Sequence, residues 1–98
     1  MSTPLLNEVI YAPNRLKICA FLAPLELAEF RVLRDELDVS DSVLSKHVKQ
    51  LENAGYVRQR KGSANGRKRS WLQLTAKGRR AFKQYVDELR DLVSYVDP

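Results

Sequence analysis

The interval from Arg31 to Gly55 constrains the fold most. Leu33, with Val32 beside it, and Leu37 fall about one helical turn apart, Asp38-Val39-Ser40 interrupts them, and Leu44, Val48 and Leu51 then resume the helical spacing. Ser40 is a good N-cap, Asp41 suits the positive end of the helix that follows, and Gly55 after Ala54 is a stop signal. Two short helices joined by a few residues predict a helix-turn-helix whose second helix runs over 41–54. With Leu44, Val48 and Leu51 turned inward, the opposite side shows Ser42, Ser45, Lys46, Lys49 and Gln50, with Asn53 nearer the end. Short or basic donors of this kind reach base edges and phosphates.

Two strands are predicted next, over 56–61 and 70–74, with Val57, Leu72 and Leu74 as inward positions. Two glycines and an asparagine in the intervening 62–69 mark a hairpin tip. Thr75 is read as the cap of a last helix, about 76–96. Its apolar residues Phe82, Tyr85, Leu89, Leu92 and Val96 step by three and four, a heptad rhythm widened by Val86 and Val93. Such a helix is about 30 Å long, so part of its seam overhangs a small core. That overhang predicts a second copy packed along Phe82, Tyr85, Val86, Leu89, Leu92, Val93 and Val96, in a two-fold homodimer. Upstream, 5–10 is read as a short helix and 13–22 as a longer one opened by Pro13 and limited by Pro24. The segment 25–30 is either a short strand or a loop.

Charge is distributed unevenly over these elements. From Ser42 to Lys83 there are twelve basic residues and one acid, Glu52, whereas 1–41 holds four basic and seven acidic residues and 84–98 one and four. The net charge of +5 is therefore the sum of −3, +11 and −3. Charge gathered in this way implies a positive face, the electrostatic footprint of a polyanion binder. The hairpin carries the densest part, with Arg58, Arg60 and Lys61 on one side and Arg67, Lys68 and Arg69 on the other. A basic hairpin after a helix-turn-helix is a wing.

The chain resembles the small winged-helix DNA-binding domains of bacterial and archaeal transcription regulators, close to the MarR/ArsR-like group. The resemblance is carried by Asn14-Arg15-Leu16-Lys17-Ile18, by the run from Leu44 to Val57 (L-S-K-H-V-K-Q-L-E-N-A-G-Y-V), and by the run from Gly66 to Gly78, which ends in L-T-A-K-G. It spans nearly the whole chain and departs at one place. The Asp-x-Arg wing signature of typical MarR proteins is missing, and Gly66-Arg67-Lys68-Arg69 stands there instead. The resemblance implies a stand-alone winged helix, an α+β fold that is mainly α, with a two-stranded hairpin wing and a long C-terminal dimerisation helix. It implies a cytoplasmic, sequence-specific duplex DNA binder on a pseudo-palindromic site. The altered wing signature weakens the inference of a phenolic-ligand pocket, and the groove between the dimer helices and the first helix is kept as a place for an unidentified small-molecule effector.

On this reading, 1–98 forms one domain. Ser42, Ser45, Lys46 and Lys49 are the candidate base readers, and Lys49 and Gln50 are also placed to hold phosphates. Arg60, Lys61, Arg67, Lys68 and Arg69 are the candidate backbone contacts of the wing. Lys77, Arg79, Arg80 and Lys83 lie where positive charge opposes the helix dipole, which points to phosphate contact or to plain surface charge. Arg15 and Lys17 either touch phosphate or face solvent. Trp71 is expected to pack against the wing or last helix, His47 to be structural, and Cys19 to be a small buried hydrophobe.

Other function classes find less support. A lone cysteine and a lone histidine supply no disulfide and no metal set, and no cofactor is expected. No carboxylate–histidine constellation or phosphate-cradling glycine loop suggests an enzyme. No apolar run nears the roughly 18 residues of a membrane span, and 1–10 lacks the basic and long apolar regions of a secretory signal. A winged helix serving only protein assembly is the alternative, though assembly alone does not need a segment of charge +11.

Overall fold

The computed structural model describes residues 7–96, with nothing specified for the side chains of Tyr95 and Val96. Five helices and three strands alternate as α1 (Glu8–Tyr11), α2 (Pro13–Leu22), β1 (Ala28–Glu29), α3 (Phe30–Leu37), α4 (Asp41–Asn53), β2 (Val57–Ala64), β3 (Arg67–Leu74) and α5 (Ala76–Val96). The strands form one antiparallel sheet in the order β1-β3-β2. This is a winged helix, and its wing belongs to a three-stranded sheet.

Local chemistry sets most boundaries. Asn7 caps α1, its side chain accepting from the backbone N–H of Val9 and Ile10 at 2.9 and 3.2 Å. The helix expected over 5–10 therefore starts at Glu8, and Leu5 and Leu6 lie outside the described residues. Pro13 opens α2 as predicted. In the ambiguous segment 25–30, residues 25–27 are loop, Ala28 and Glu29 pair with Leu72 and Trp71 as a strand, and Phe30 opens α3. α3 ends where Asp38 turns left-handed at φ 55°, a conformation Asp tolerates better than most residues. The Ser40 hydroxyl then accepts from Val43 N–H at 3.2 Å and starts α4.

α4 closes with a Schellman motif. Gly55, at φ 81°, donates to the Glu52 carbonyl, and Tyr56 donates to that of Leu51, both at 2.9 Å. The hairpin is longer than its glycines suggest. Only Asn65 and Gly66 form the turn, both with positive φ, the two-residue geometry that matches strand twist. This turn fixes a register in which Gly62 pairs with Arg69 and stays in the ladder. Gly62 also leaves room for Trp71, whose ring lies 3.1 Å from where a Cβ would be, so the indole packs within the wing.

The core joins Ile10, Ile18, Cys19, Leu22, Leu33, Leu44, Val48, Leu51, Val57, Leu72, Leu74 and Tyr85. Cys19 is wholly buried, and desolvation pushes its thiol up to about 12, so it behaves as the small hydrophobe expected. The apolar seam of α5 divides. Tyr85 is buried in the chain's own core, with Phe82 packed against it, whereas Leu89, Leu92 and Val93 are 36%, 42% and 54% exposed. Val96 falls among the side chains left undescribed.

Candidate nucleic-acid interface

α4 is fixed from behind and open in front. Leu44, Val48 and Leu51 are buried, while Ser42, Ser45, Lys46, Lys49 and Gln50 are exposed. Arg34 ties α3 to the start of α4, reaching Asp35 at 3.0 Å and Asp41 at 2.8 Å. Those two hydrogen bonds, Asp41 first, raise the Arg34 pKa. The Ser42 hydroxyl lies 3.2 Å from that of Ser40, so the first base-reader candidate adjoins the helix cap. His47 is half-buried between α4 and α2, with Arg15 3.3 Å and Asn14 3.5 Å from its ring nitrogens. Desolvation, then Arg15, then Lys46 lower its pKa. Arg15 also donates to the Val9 carbonyl, so it braces α1 and α2, while Lys17 is exposed.

The wing is joined to the core by a compact junction. Thr75 N–H donates to the Tyr56 carbonyl at 3.0 Å. Its hydroxyl donates to the Gly55 carbonyl at 2.6 Å and accepts from Gly78 N–H at 2.9 Å. A Cβ on Gly78 would lie 2.0 Å from the Tyr56 carbonyl oxygen. The A-G-Y-V and L-T-A-K-G runs are thus the two halves of one joint, locking the end of α4 and both wing strands to the start of α5.

The twelve cations of 42–83 divide by surroundings. Lys46, Lys49, Arg58, Arg60, Lys61, Arg67, Lys68 and Arg80 are exposed and have no ion-pair partner among the described residues. The other four are engaged. Arg69 reaches Glu29 at 2.5 Å, with only 16% of its side chain exposed. Arg79 donates to the carbonyls of Ala23 and Leu25 at 2.6 and 3.0 Å and so caps the exit of α2. Lys77 lies over the Tyr56 ring at 5.7 Å, and Lys83 pairs with Asp87 at 3.1 Å. Much of the unfavourable charge at the start of α5 thus has an intramolecular role, and Arg69 differs from its wing neighbours. No residue spacing connects Glu29 with Arg69 or Arg79 with Ala23; only the fold brings them together.

A winged-helix DNA-binding domain model matches residues 14–93. The chain belongs to that family. It is 39% identical over 83 residues to an uncharacterised protein of Methanocaldococcus jannaschii, covering 85% of this chain and 90% of the relative. A transcriptional regulator homologue from Pyrococcus horikoshii superposes with a TM-score of 0.88 at 28% identity, over 94% of this chain and 91% of that one. NadR, solved with 4-hydroxyphenylacetate, gives a TM-score of 0.74 at 23% identity, over 96% of this chain and 66% of its own. The haem sensor PefR of Streptococcus agalactiae, solved with haem, gives 0.74 at 24%, over 91% and 62%. At those identities the last two show the fold alone. No helix among the described residues is long and apolar enough to cross a membrane.

Proposed function

We propose that this chain is a cytoplasmic transcription regulator that binds duplex DNA sequence-specifically as a homodimer. The observation that carries the reading is the pairing of an open α4 face with a wing whose cations, Arg60, Lys61, Arg67 and Lys68, have no ion-pair partner among the described residues. α4 enters the major groove, where Ser42, Ser45, Lys46 and Lys49 meet base edges and Gln50 holds the backbone. The wing holds phosphates outside that groove and contributes affinity and register.

The exposed Leu89, Leu92 and Val93 support dimerisation through the far half of α5. Two copies then place two α4 helices about 34 Å apart, which suits a pseudo-palindromic site. A cleft of about 600 Å³ between α1 and α5, bordered by Val9, Tyr56, Ala81 and Gln84, is where a small effector would fit. NadR and PefR, which share the fold, were each solved with a bound small molecule.

Selection of bound sequences from a random duplex library tests the reading. It should return a two-fold symmetric motif whose half-sites are one duplex turn apart. Lys46→Ala should weaken binding by ~1–3 kcal/mol and relax one position of that motif. Failure to retain any duplex at low salt would instead favour an assembly module.

A further inference from the structure

The strongest unassigned feature lies between α3 and the wing. A cleft of about 670 Å³ opens between the start of α3 and the hairpin, bordered by Arg31, Lys61, Arg67, Lys68 and Arg69, with Glu29 the one acid. Glu29 Oε1 is shared, 2.5 Å from Arg69 and 3.4 Å from Arg31. One carboxylate oxygen thus holds two guanidinium groups, at a cleft whose border carries three further cations. The backbone of α3 adds to the field, because its N-cap residue, Glu29, makes no side-chain cap and leaves the first-turn N–H groups uncapped where Phe30 and Arg31 border the cleft. Arg69 is not saturated either. Its Nε is the buried side-chain polar atom without a partner among the described residues. Gly62 borders the same cleft and adds no side chain to fill it.

We infer that this cleft is a phosphate site in which Glu29 occupies the place of the anion. Two guanidinium groups around one carboxylate oxygen form the arrangement that also recognises a phosphoryl group. Glu29 keeps the Arg31 and Arg69 guanidinium groups turned to one point and competes there with any other anion. An entering phosphate displaces that carboxylate from Arg31 and Arg69, while Lys61 and the α3 N-terminus supply further donors. The phosphoryl group belongs either to the duplex backbone or to a free phosphorylated molecule. Only the first of these rests on the DNA-binding reading above.

Trp71, the single tryptophan, packs on Gly62 and so reports on the cleft. The test titrates the full chain with inorganic phosphate, against sodium chloride at matched ionic strength, and separately with a short duplex at several salt concentrations. For a free phosphate, Trp71 fluorescence should change saturably with phosphate and not with chloride. Binding should tighten roughly threefold in Glu29→Gln, which keeps a hydrogen-bond acceptor for Arg69 but removes the competing charge, and weaken by a similar factor in Arg31→Gln and Lys61→Gln. For a backbone phosphate, the phosphate titration is flat, but Glu29→Gln tightens duplex binding and Arg31→Gln makes its salt dependence shallower by about one counterion. Arg31 and Lys61 are exposed, and thermal melts of all three variants separate altered binding from altered folding. Either pattern supports the site. Binding that ignores Arg31 and Lys61, or that weakens in a folded Glu29→Gln, overturns it, because Glu29 is then only a brace. Phosphate binding with no duplex binding at any salt keeps the site and removes the DNA reading; duplex binding indifferent to Glu29 and Arg31 does the reverse.

Discussion

The tip of the wing and the joint at its root are both conspicuous in sequence, for opposite reasons. The tip is Asn65-Gly66 flanked by Lys61, Arg67 and Lys68, all exposed. The joint is Gly55-Tyr56 against Thr75 and Gly78, held by three hydrogen bonds of 2.6 to 3.0 Å and by the absence of a Cβ at Gly78. The tip's charges make no ion pair among the described residues, which leaves them for a partner. The joint's residues are fully used inside the fold, and so is Lys77 beside them. Charge counted along the chain is therefore an upper bound on charge available for binding, and the surroundings of each cation decide the remainder.

The largest expected effect is at the joint. In Gly78→Ala the new methyl group meets the Tyr56 carbonyl at 2.0 Å, and the obstacle is backbone that also accepts from Thr75. Overpacking of this kind should destabilise by about 3 kcal/mol or more, read by urea unfolding. An alanine as stable as the glycine would mean that the joint is looser than described. Thr75→Ala comes next. It removes the α5 cap and the donor to Gly55, so a loss of about 1–2 kcal/mol is expected, with serine restoring most of it. At the tip the pattern should invert. Arg67→Gln and Lys68→Gln should leave the unfolding midpoint in place while each lowers the salt dependence of duplex binding by about one counterion. Equal effects on stability at tip and joint would erase the distinction.

Arg79→Gln sharpens the comparison within the basic stretch itself. Its charge is formally one of the twelve, yet it caps the carbonyls of Ala23 and Leu25. A stability loss of about 1 kcal/mol with an unchanged salt slope is expected. A shallower slope at constant stability would return Arg79 to the interface.

Sequence legibility follows the same division. Helices α2, α4 and α5 were readable because their boundaries rest on local chemistry: Pro13, Ser40, Gly55 and Thr75 act within a few residues of themselves. The strands of the wing run longer than the glycines predict, because Gly62 is a flat place under Trp71 and the tight Asn65-Gly66 turn sets the register. β1 was ambiguous because two residues carry no periodicity; they become a strand only by pairing with Leu72 and Trp71. For the site, exposure of the α4 face followed from helical spacing. The engagement of Arg69, Arg79 and Lys77 did not, since Glu29 lies 40 residues from Arg69 and Ala23 lies 56 from Arg79. The heptad reading of α5 likewise merged two surfaces, an inner one at Tyr85 and an outer one at Leu89, Leu92 and Val93, because periodicity reports a face and not what covers it.

The smallest effect expected concerns His47, on the inward edge of the open α4 face. Burial disfavours its charged form, and Arg15 at 3.3 Å and Lys46 on its own helix add repulsion. Its value in the folded chain therefore lies below the roughly 6.5 of an unfolded histidine. As pH falls, the unfolded chain takes up this proton first, so the unfolded state gains. The contribution is complete above the unfolded value and is lost as pH falls through the folded one. The melting temperature should accordingly decline gently from pH 7 towards pH 5, and His47→Gln should flatten that part of the profile. The same protonation would bring a third positive charge beside Arg15 and Lys46, so the acid-induced loss should be smaller in Arg15→Gln, after allowance for the lost hydrogen bond to Val9. A profile in which stability rises on acidification would mean that His47 gains an acceptor instead, and that the inner edge of α4 is less electropositive than its neighbours indicate.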